Sequence, residues 1–224
     1  EGYRLEPVRM AIEVATELSP KEGPARIWGT GQRVGALPAA FANCVAIHAL
    51  LHDDTLMDSW SHPAGPVVAA AAAVAQHTRA SGAATLVGIV AGYEVMARLG
   101  GEGTIAFEGI RRGFRANSTY GVFGAAAAAA SILGLDPAPY AHALACAASF
   151  ANGLIEPLHA GSMEWRHETG VAAHNGVVAA FLARRGQRSA TTAIEGQVGF
   201  WRAFGGATER PVSATANLGS SFAI

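Results

Sequence analysis

The sequence predicts an all-α fold in a single domain over residues 1–224, and three observations lead to this prediction. Half of the residues are apolar and only 15% are charged, which provides enough apolar surface for a packed core and too few charges for a disordered chain. Alanine and glycine dominate the apolar part, and small residues let helices pack closely. Most segments with helical spacing end at a glycine or before a proline, as helices commonly do.

The predicted helices follow one another with one interruption near the N-terminus. Apolar residues at helical spacing from Glu6 to Leu18 predict the first helix. Residues 24–38 carry β-formers around two glycines, which predicts a short hairpin or loop. The GTG in this segment is a weak dinucleotide signal, because no strand-glycine-helix unit with a following acidic residue surrounds it. Further helices are predicted over 39–51, 66–81, 84–99, 118–133, 137–152 and 169–185, with a short one over 191–204 and an irregular tail from 205.

Polar residues define the predicted starts of the later helices. Asn117 or Ser118 can cap the helix that runs to Gly134, since short polar side chains accept hydrogen bonds from the free N–H groups of a first turn. Glu168 or Thr169 is predicted to open the helix that ends before Gly186. Three polar segments therefore separate the apolar helices, and they cover residues 52–65, 103–117 and 154–168.

Charge and composition exclude several classes of function. The net charge is −1 and the basic residues form no run, so no footprint for nucleic acid or an anionic membrane is present. The most apolar stretch, residues 120–135, is too short to cross a bilayer. Cys44 and Cys146 are interpreted as free buried thiols, and no Cys/His cluster has the spacing of a structural zinc site. We expect a soluble cytoplasmic protein, without a signal peptide or a membrane span. Several helices are apolar almost all round, which predicts a homo-oligomer formed through a helical face.

A series of motifs resembles the MmgE/PrpD family, and it recurs in order over nearly the whole chain. The motifs are ALPAAFANCVAIHALLHDDT, the pair His62-Pro63, IVAGYEVMARLG, GFRANSTYGVFGAAAAAASILGLD, AAHNGVVAAFLARRG and EGQVGF. The resemblance implies a helical domain that is usually followed by a smaller α+β lid, and an enzyme that is usually a dimer. It implies dehydration, decarboxylation or epimerisation of small di- and tricarboxylates without a metal or organic cofactor. We expect this chain to lack the lid and the family's first helix, and so to be incomplete at both ends.

The first polar segment supplies the main catalytic candidates. The resemblance implies that Asp53, Asp54 and Thr55 match the family's DDT motif and that His62 matches its site histidine, a general acid or base. The alternative for His62 is a loop histidine packed on Pro63, and for the two aspartates it is turn chemistry. Thr55 is expected to contact substrate. Leu51 stands where the family usually has an aspartate.

The second and third polar segments supply the substrate-binding candidates. Arg115 stands where the family often has a histidine, and because arginine does not release its proton at neutral pH we interpret it as a carboxylate ligand. Ser118 lies at a predicted helix start that can receive an anion. Trp165 replaces a lysine of the family. Arg166 can then supply its positive charge and His167 a proton donor. For Arg115, Arg166 and His167 the alternative is a solvated surface side chain, and His48 is interpreted as a core histidine.

Three hypotheses of function follow from these residues. The first is a lyase or isomerase of small polycarboxylates, with 2-methylcitrate-type dehydration as the leading reaction. The second is a non-catalytic or partner-dependent subunit that retains the fold. The third is a metal-dependent hydrolase, since His52-Asp53 forms the doublet used by one class of phosphohydrolase, although a doublet is common by chance.

Overall fold

The computed structural model describes residues 1–19, 21–101, 105–206 and 212–224, and within them the chain is a helical bundle with one small hairpin. The strands β1 (Ala25–Arg26) and β2 (Arg33–Val34) pair antiparallel, with Ala25 opposite Val34. The helices are α1 (Glu6–Glu17), α2 (Ala36–His48), α3 (Ala64–Thr78), α4 (Gly82–Gly100), α5 (Ala106–Arg111), α6 (Ala116–Thr119), α7 (Gly121–Ile132), α8 (Pro137–Ser149), α9 (Glu156–His159), α10 (Glu164–Arg184) and α11 (Phe200–Gly205). Short 3-10 turns cover Gly2–Arg4, Met57–Ser59 and Val212–Thr215.

Helix α7 forms the centre of the bundle, and it packs against α3, α4, α8 and α10. Glycines allow these helices to approach closely. A Cβ added at Gly92 of α4 would lie 2.6 Å from the carbonyl oxygen of Gly124 in α7, and one at Gly176 of α10 would lie 2.6 Å from the carbonyl oxygen of Val122. Backbones in such contact leave no room for a side chain, so the small residues of the sequence set the helix spacing.

The predicted all-α class is confirmed, and the hairpin between residues 24 and 38 is present. Several predicted boundaries are wrong. Helix α5 lies inside the predicted polar segment 103–117, of which residues 103 and 104 are outside the described part of the chain. Asn117 and Ser118 lie within α6 and cap nothing, since this short helix is separate from α7. Helix α10 begins at Glu164 rather than at Glu168 or Thr169.

Helix α4 leaves much of its apolar surface exposed. Leu86 and Val87 are 64% and 62% exposed, and Val90 lies one turn further along the same side. Among the described residues α4 is the one helix long and apolar enough to cross a membrane, and 28% of its most apolar window is buried. The absence of a span therefore stays a prediction, as do the cytoplasmic location and the homodimer.

Candidate active site

The three polar segments meet at one end of the bundle, around a pocket of about 150 Å³. The first segment contributes His62, the second contributes Arg115 and Asn117, and the third contributes an apolar wall. Residues 113–115 and 153–155 run side by side and exchange backbone hydrogen bonds, with the Arg115 N–H donating to the Gly153 carbonyl at 3.2 Å. The remaining lining residues are Leu51, Trp60, Ile110, Ala116, Ile155 and Leu158.

The ring of His62 is held through one of its two nitrogens. Its Nδ1 lies 2.7 Å from the carbonyl oxygen of Asp54, 3.3 Å from the Thr55 hydroxyl and 3.6 Å from Oδ1 of Asp53. A carbonyl oxygen only accepts hydrogen bonds, so Nδ1 carries the proton in the neutral ring. Nε2 is then the nitrogen left to exchange a proton with a ligand. The side chain is 25% exposed, in agreement with its place in the pocket wall.

Behind His62 lies a buried pair that the sequence alone did not reveal. Nδ1 of His48 lies 2.8 Å from Oδ2 of Asp53, and both side chains are almost completely buried. Burial lowers the pKa of His48, against the opposing effect of Asp53. His48 is therefore a neutral ring that donates from Nδ1. The other carboxylate oxygen of Asp53, Oδ1, has no hydrogen-bond partner among the described residues, and it faces His62.

Arg115 completes this buried network rather than projecting into solvent. Its Nη1 donates to the Thr169 hydroxyl at 2.7 Å and to the Trp165 carbonyl, and its Nη2 donates to Nε2 of His48. The residue is 6% exposed, and its guanidinium lies 4.9 Å from the centroid of the Trp165 ring. Burial lowers the pKa of Arg115 to about 10, so it remains a cation at neutral pH.

Two further residues hold the first segment in place. The side chain of Asn117 accepts the backbone N–H of His62 at 2.8 Å and places its amide nitrogen 3.1 Å from Nε2 of His48. The carboxylate of Asp54 accepts the first backbone N–H of α3, from Ala64, at 2.9 Å. Burial, together with the nearby Asp54 carboxylate, raises the pKa of Tyr93.

The structure does not bring every predicted site residue to the pocket. His167 points towards α1, where its Nε2 lies 2.9 Å from the carbonyl oxygen of Pro7. Its expected role as a proton donor has no geometric support. Arg166 donates to the carbonyl of Ala49 at 3.0 Å and stacks over the Trp165 ring, with its guanidinium 3.9 Å from the ring centroid.

Ser118 lies behind the pocket wall and is completely buried. Its hydroxyl and Oε2 of Glu168 have no hydrogen-bond partner among the described residues. Because Ser118 does not line the pocket and does not open a long helix, the anion-binding role expected for it loses its structural basis. Thr55, by contrast, contacts His62, so it lies next to the proton-exchanging group.

The metal site suggested by the His52-Asp53 doublet has little support. His52 is exposed while Asp53 bonds His48, so this doublet does not point its two side chains at one ion. Within the described residues no group of three His, Cys, Asp or Glu side chains could hold a metal ion. A larger apolar cleft of about 550 Å³ lies between α1, α2 and α10, and none of the predicted site residues reaches it.

Comparison with known proteins gives consistent matches. The family model described as the MmgE/PrpD N-terminal domain matches residues 1–212. Cis-aconitate decarboxylase from Homo sapiens is 34% identical over 186 residues, which cover 78% of this chain and 36% of that protein. The enzyme of the same name from Aspergillus terreus is 30% identical over 182 residues, which cover 79% of this chain and 37% of that protein. The enzyme from Mus musculus is 35% identical over 172 residues, which cover 71% of this chain and 33% of that protein. The chain spans about a third of the length of these relatives.

Proposed function

The chain belongs to the MmgE/PrpD family, and on that basis we propose that its pocket serves a lyase reaction, the release of carbon dioxide from a small unsaturated carboxylic acid. The observation that carries the proposal is the fixed ring of His62, whose Nδ1 is held by the Asp54 carbonyl at 2.7 Å in a pocket that also contains Arg115. The relatives named cis-aconitate decarboxylase support it.

The proposed step needs one proton donor. The bond between the substrate and its leaving carboxylate breaks, carbon dioxide departs, and the electron pair is delocalised over the adjoining double bond and the retained carboxylate. The imidazolium of His62 then donates the Nε2 proton to this carbanion, and water restores that proton. Oδ1 of Asp53 lies 3.6 Å from Nδ1, the ring nitrogen that takes no part in this transfer.

Decarboxylation suits this pocket better than the 2-methylcitrate-type dehydration expected from the sequence. Dehydration calls for a base to remove a proton and an acid to protonate the departing hydroxide. Among the described residues that line the pocket, His62 is the one whose side chain can act as an acid or a base, since Arg115 stays charged. Apolar walls also favour the conversion of a charged carboxylate into neutral carbon dioxide.

A second candidate is a non-catalytic or partner-dependent subunit, and a specific observation favours it. Arg115 and Trp165 occupy positions where the resemblance places proton-exchanging residues, and here they stack and hydrogen-bond with each other. On this reading the pair fills space that a catalytic lysine and histidine occupy in relatives.

The test is turnover by the full chain with a panel of unsaturated acids, including cis-aconitate, followed by product NMR and release of labelled carbon dioxide. We expect His62→Gln to lower the rate by about 10²- to 10⁴-fold, the usual contribution of a general acid. His52→Gln, an exposed histidine of the same segment, is the matched control and should leave the rate unchanged. Equal rates for both variants would contradict the proposal, and a wild-type chain inactive on the whole panel would favour the subunit reading.

A further inference from the structure

We infer that this pocket selects an unsaturated dicarboxylic acid with an apolar substituent in preference to a tricarboxylic acid. The inference rests on the proposed function for the identity of the site and adds the chemical class of the substrate. Two independent observations carry it, namely the apolar residues around the pocket and the balance of charge within it.

The apolar side of the pocket contains two residues in an unusual backbone conformation. Leu51 and Trp60 have φ values of 53° and 51°, in the left-handed region that large side chains rarely adopt. Both side chains line the pocket, and they are 44% and 56% exposed. Large apolar side chains held at such backbone angles, and left uncovered, provide a surface for an apolar group of a ligand. Ile110, Ile155 and Leu158 continue this surface.

The charged side of the pocket is poorly suited to a trianion. Arg115 is the one cation among the described residues that line it, and three of its N–H contacts already go to Thr169, Trp165 and His48. The Asp53 carboxylate lies 3.6 Å from Nδ1 of His62, whereas Asp54 reaches this ring through its backbone carbonyl. With His62 as the imidazolium of the proposed step, the two cations and the Asp53 carboxylate leave a single positive charge, which does not balance a trianion. Arg166 does not compensate, since its guanidinium is stacked on Trp165 and is not part of the pocket wall.

One retained carboxylate can be bound by the remaining N–H groups of Arg115, and a second can leave as carbon dioxide. A third carboxylate would have to lie against Leu51 or Trp60, where it would lose hydration without gaining a cation. An alkyl group in its place gains apolar contact instead. The fitting class is a glutaconate carrying an alkyl group on its central carbon, which differs from cis-aconitate by the exchange of one carboxylate for that group.

The experiment measures binding of two matched acids to the full chain by calorimetry, separately from turnover. The acids are cis-aconitate and the glutaconate with a central methyl group. We expect the methyl compound to bind at least about tenfold more tightly, since one methyl group in an apolar pocket contributes about 10- to 200-fold. Leu51→Asn, a residue that tolerates a left-handed backbone, should reduce this preference by about tenfold. Leu51→Met keeps an apolar side chain at the same position and should retain it.

Equal or tighter binding of cis-aconitate by the wild-type chain would overturn the inference, and so would failure of both acids to bind at millimolar concentration. A preference for the methyl compound that Leu51→Asn leaves unchanged would also overturn it. The proposed reaction fails in a different way. If the methyl compound binds preferentially but releases no carbon dioxide, the substrate class stands and the decarboxylase proposal does not.

Discussion

Two buried regions of this protein are stabilised by opposite means. Around α7, backbones approach through glycine and alanine, as where Gly176 of α10 meets Val122, and the contacts are apolar and non-directional. Around Arg115, the region depends instead on directional hydrogen bonds between residues that are distant in sequence. In the first region a substitution acts through volume. In the second it acts through charge, and its effect depends on pH.

The largest effect should follow from removing the cation of the polar region. Arg115→Met leaves Asp53 buried without a nearby positive charge and leaves the Thr169 and Trp165 acceptors without their donor. We expect a loss of about 3–5 kcal/mol in the free energy of unfolding, measured by urea denaturation. Arg111→Met is the matched control, because its pairing with Glu108 is exposed, and it should leave the free energy of unfolding nearly unchanged.

The same comparison can be sharpened with a double variant. Arg115→Met combined with Asp53→Asn removes both charges, so the combined loss should be smaller than the sum of the two single losses. If the two losses in the free energy of unfolding are additive, Arg115 stabilises the region independently of Asp53.

A smaller loss is expected in the close-packed region. Gly176→Ala adds a Cβ 2.6 Å from the Val122 carbonyl oxygen and 2.7 Å from the Ala126 nitrogen, so α7 and α10 must separate. Overpacking of this kind costs about 1–3 kcal/mol, which urea denaturation can measure. Gly82→Ala, at the start of α4 with nothing within 4 Å of the added Cβ, should be neutral or slightly stabilising. A loss at Gly82 equal to that at Gly176 would show that helix spacing is not the cause.

The smallest effect is a dependence on pH that belongs to the polar region alone. Burial lowers the pKa of His48 in the folded chain below its usual 6.5, the value expected in the unfolded chain. At a pH between these two pKa values, the unfolded chain binds a proton that the folded chain does not. Stability should therefore fall as pH drops below about 6.5, by at most about 1.4 kcal/mol per pH unit. His48→Gln should flatten this slope in thermal unfolding from pH 7.5 to 5, whereas His52→Gln should retain it. Equal slopes in wild type and His48→Gln would contradict the assignment.

Helical periodicity predicted most of the bundle because it depends on neighbours three or four residues apart. It failed at α10, which begins at Glu164 inside a predicted loop. The residues from Glu164 to Glu168 are mostly polar, and their helix is stabilised by a tertiary contact, the burial of Trp165 against Arg115 and His48. No local pattern contains that information.

The site could be predicted only in part, because some of its residues are brought together by contacts between distant segments. Motif resemblance located His62, Asp53, Asp54 and Arg115, and the structure brings them together. It could not show that His48 belongs with them, because a histidine in an apolar run is expected to be part of the core. His48 pairs with Asp53, five residues later in the sequence, and it contacts Arg115, which lies 67 residues away. Neither contact can be inferred from the local sequence pattern. The position of His167 away from the pocket could not be predicted, because sequence adjacency to Arg166 does not reveal that the two side chains leave α10 in different directions.

Asp54 makes two contacts that together fix the first polar segment beside the pocket. Its carboxylate receives the first N–H of α3, while its own carbonyl holds the ring of His62. The residue that holds the ring of His62 is therefore itself tied to the beginning of a fifteen-residue helix. The orientation of this ring is thus set when the chain folds, so in the proposed reaction each encounter with a ligand begins from a side chain already in place.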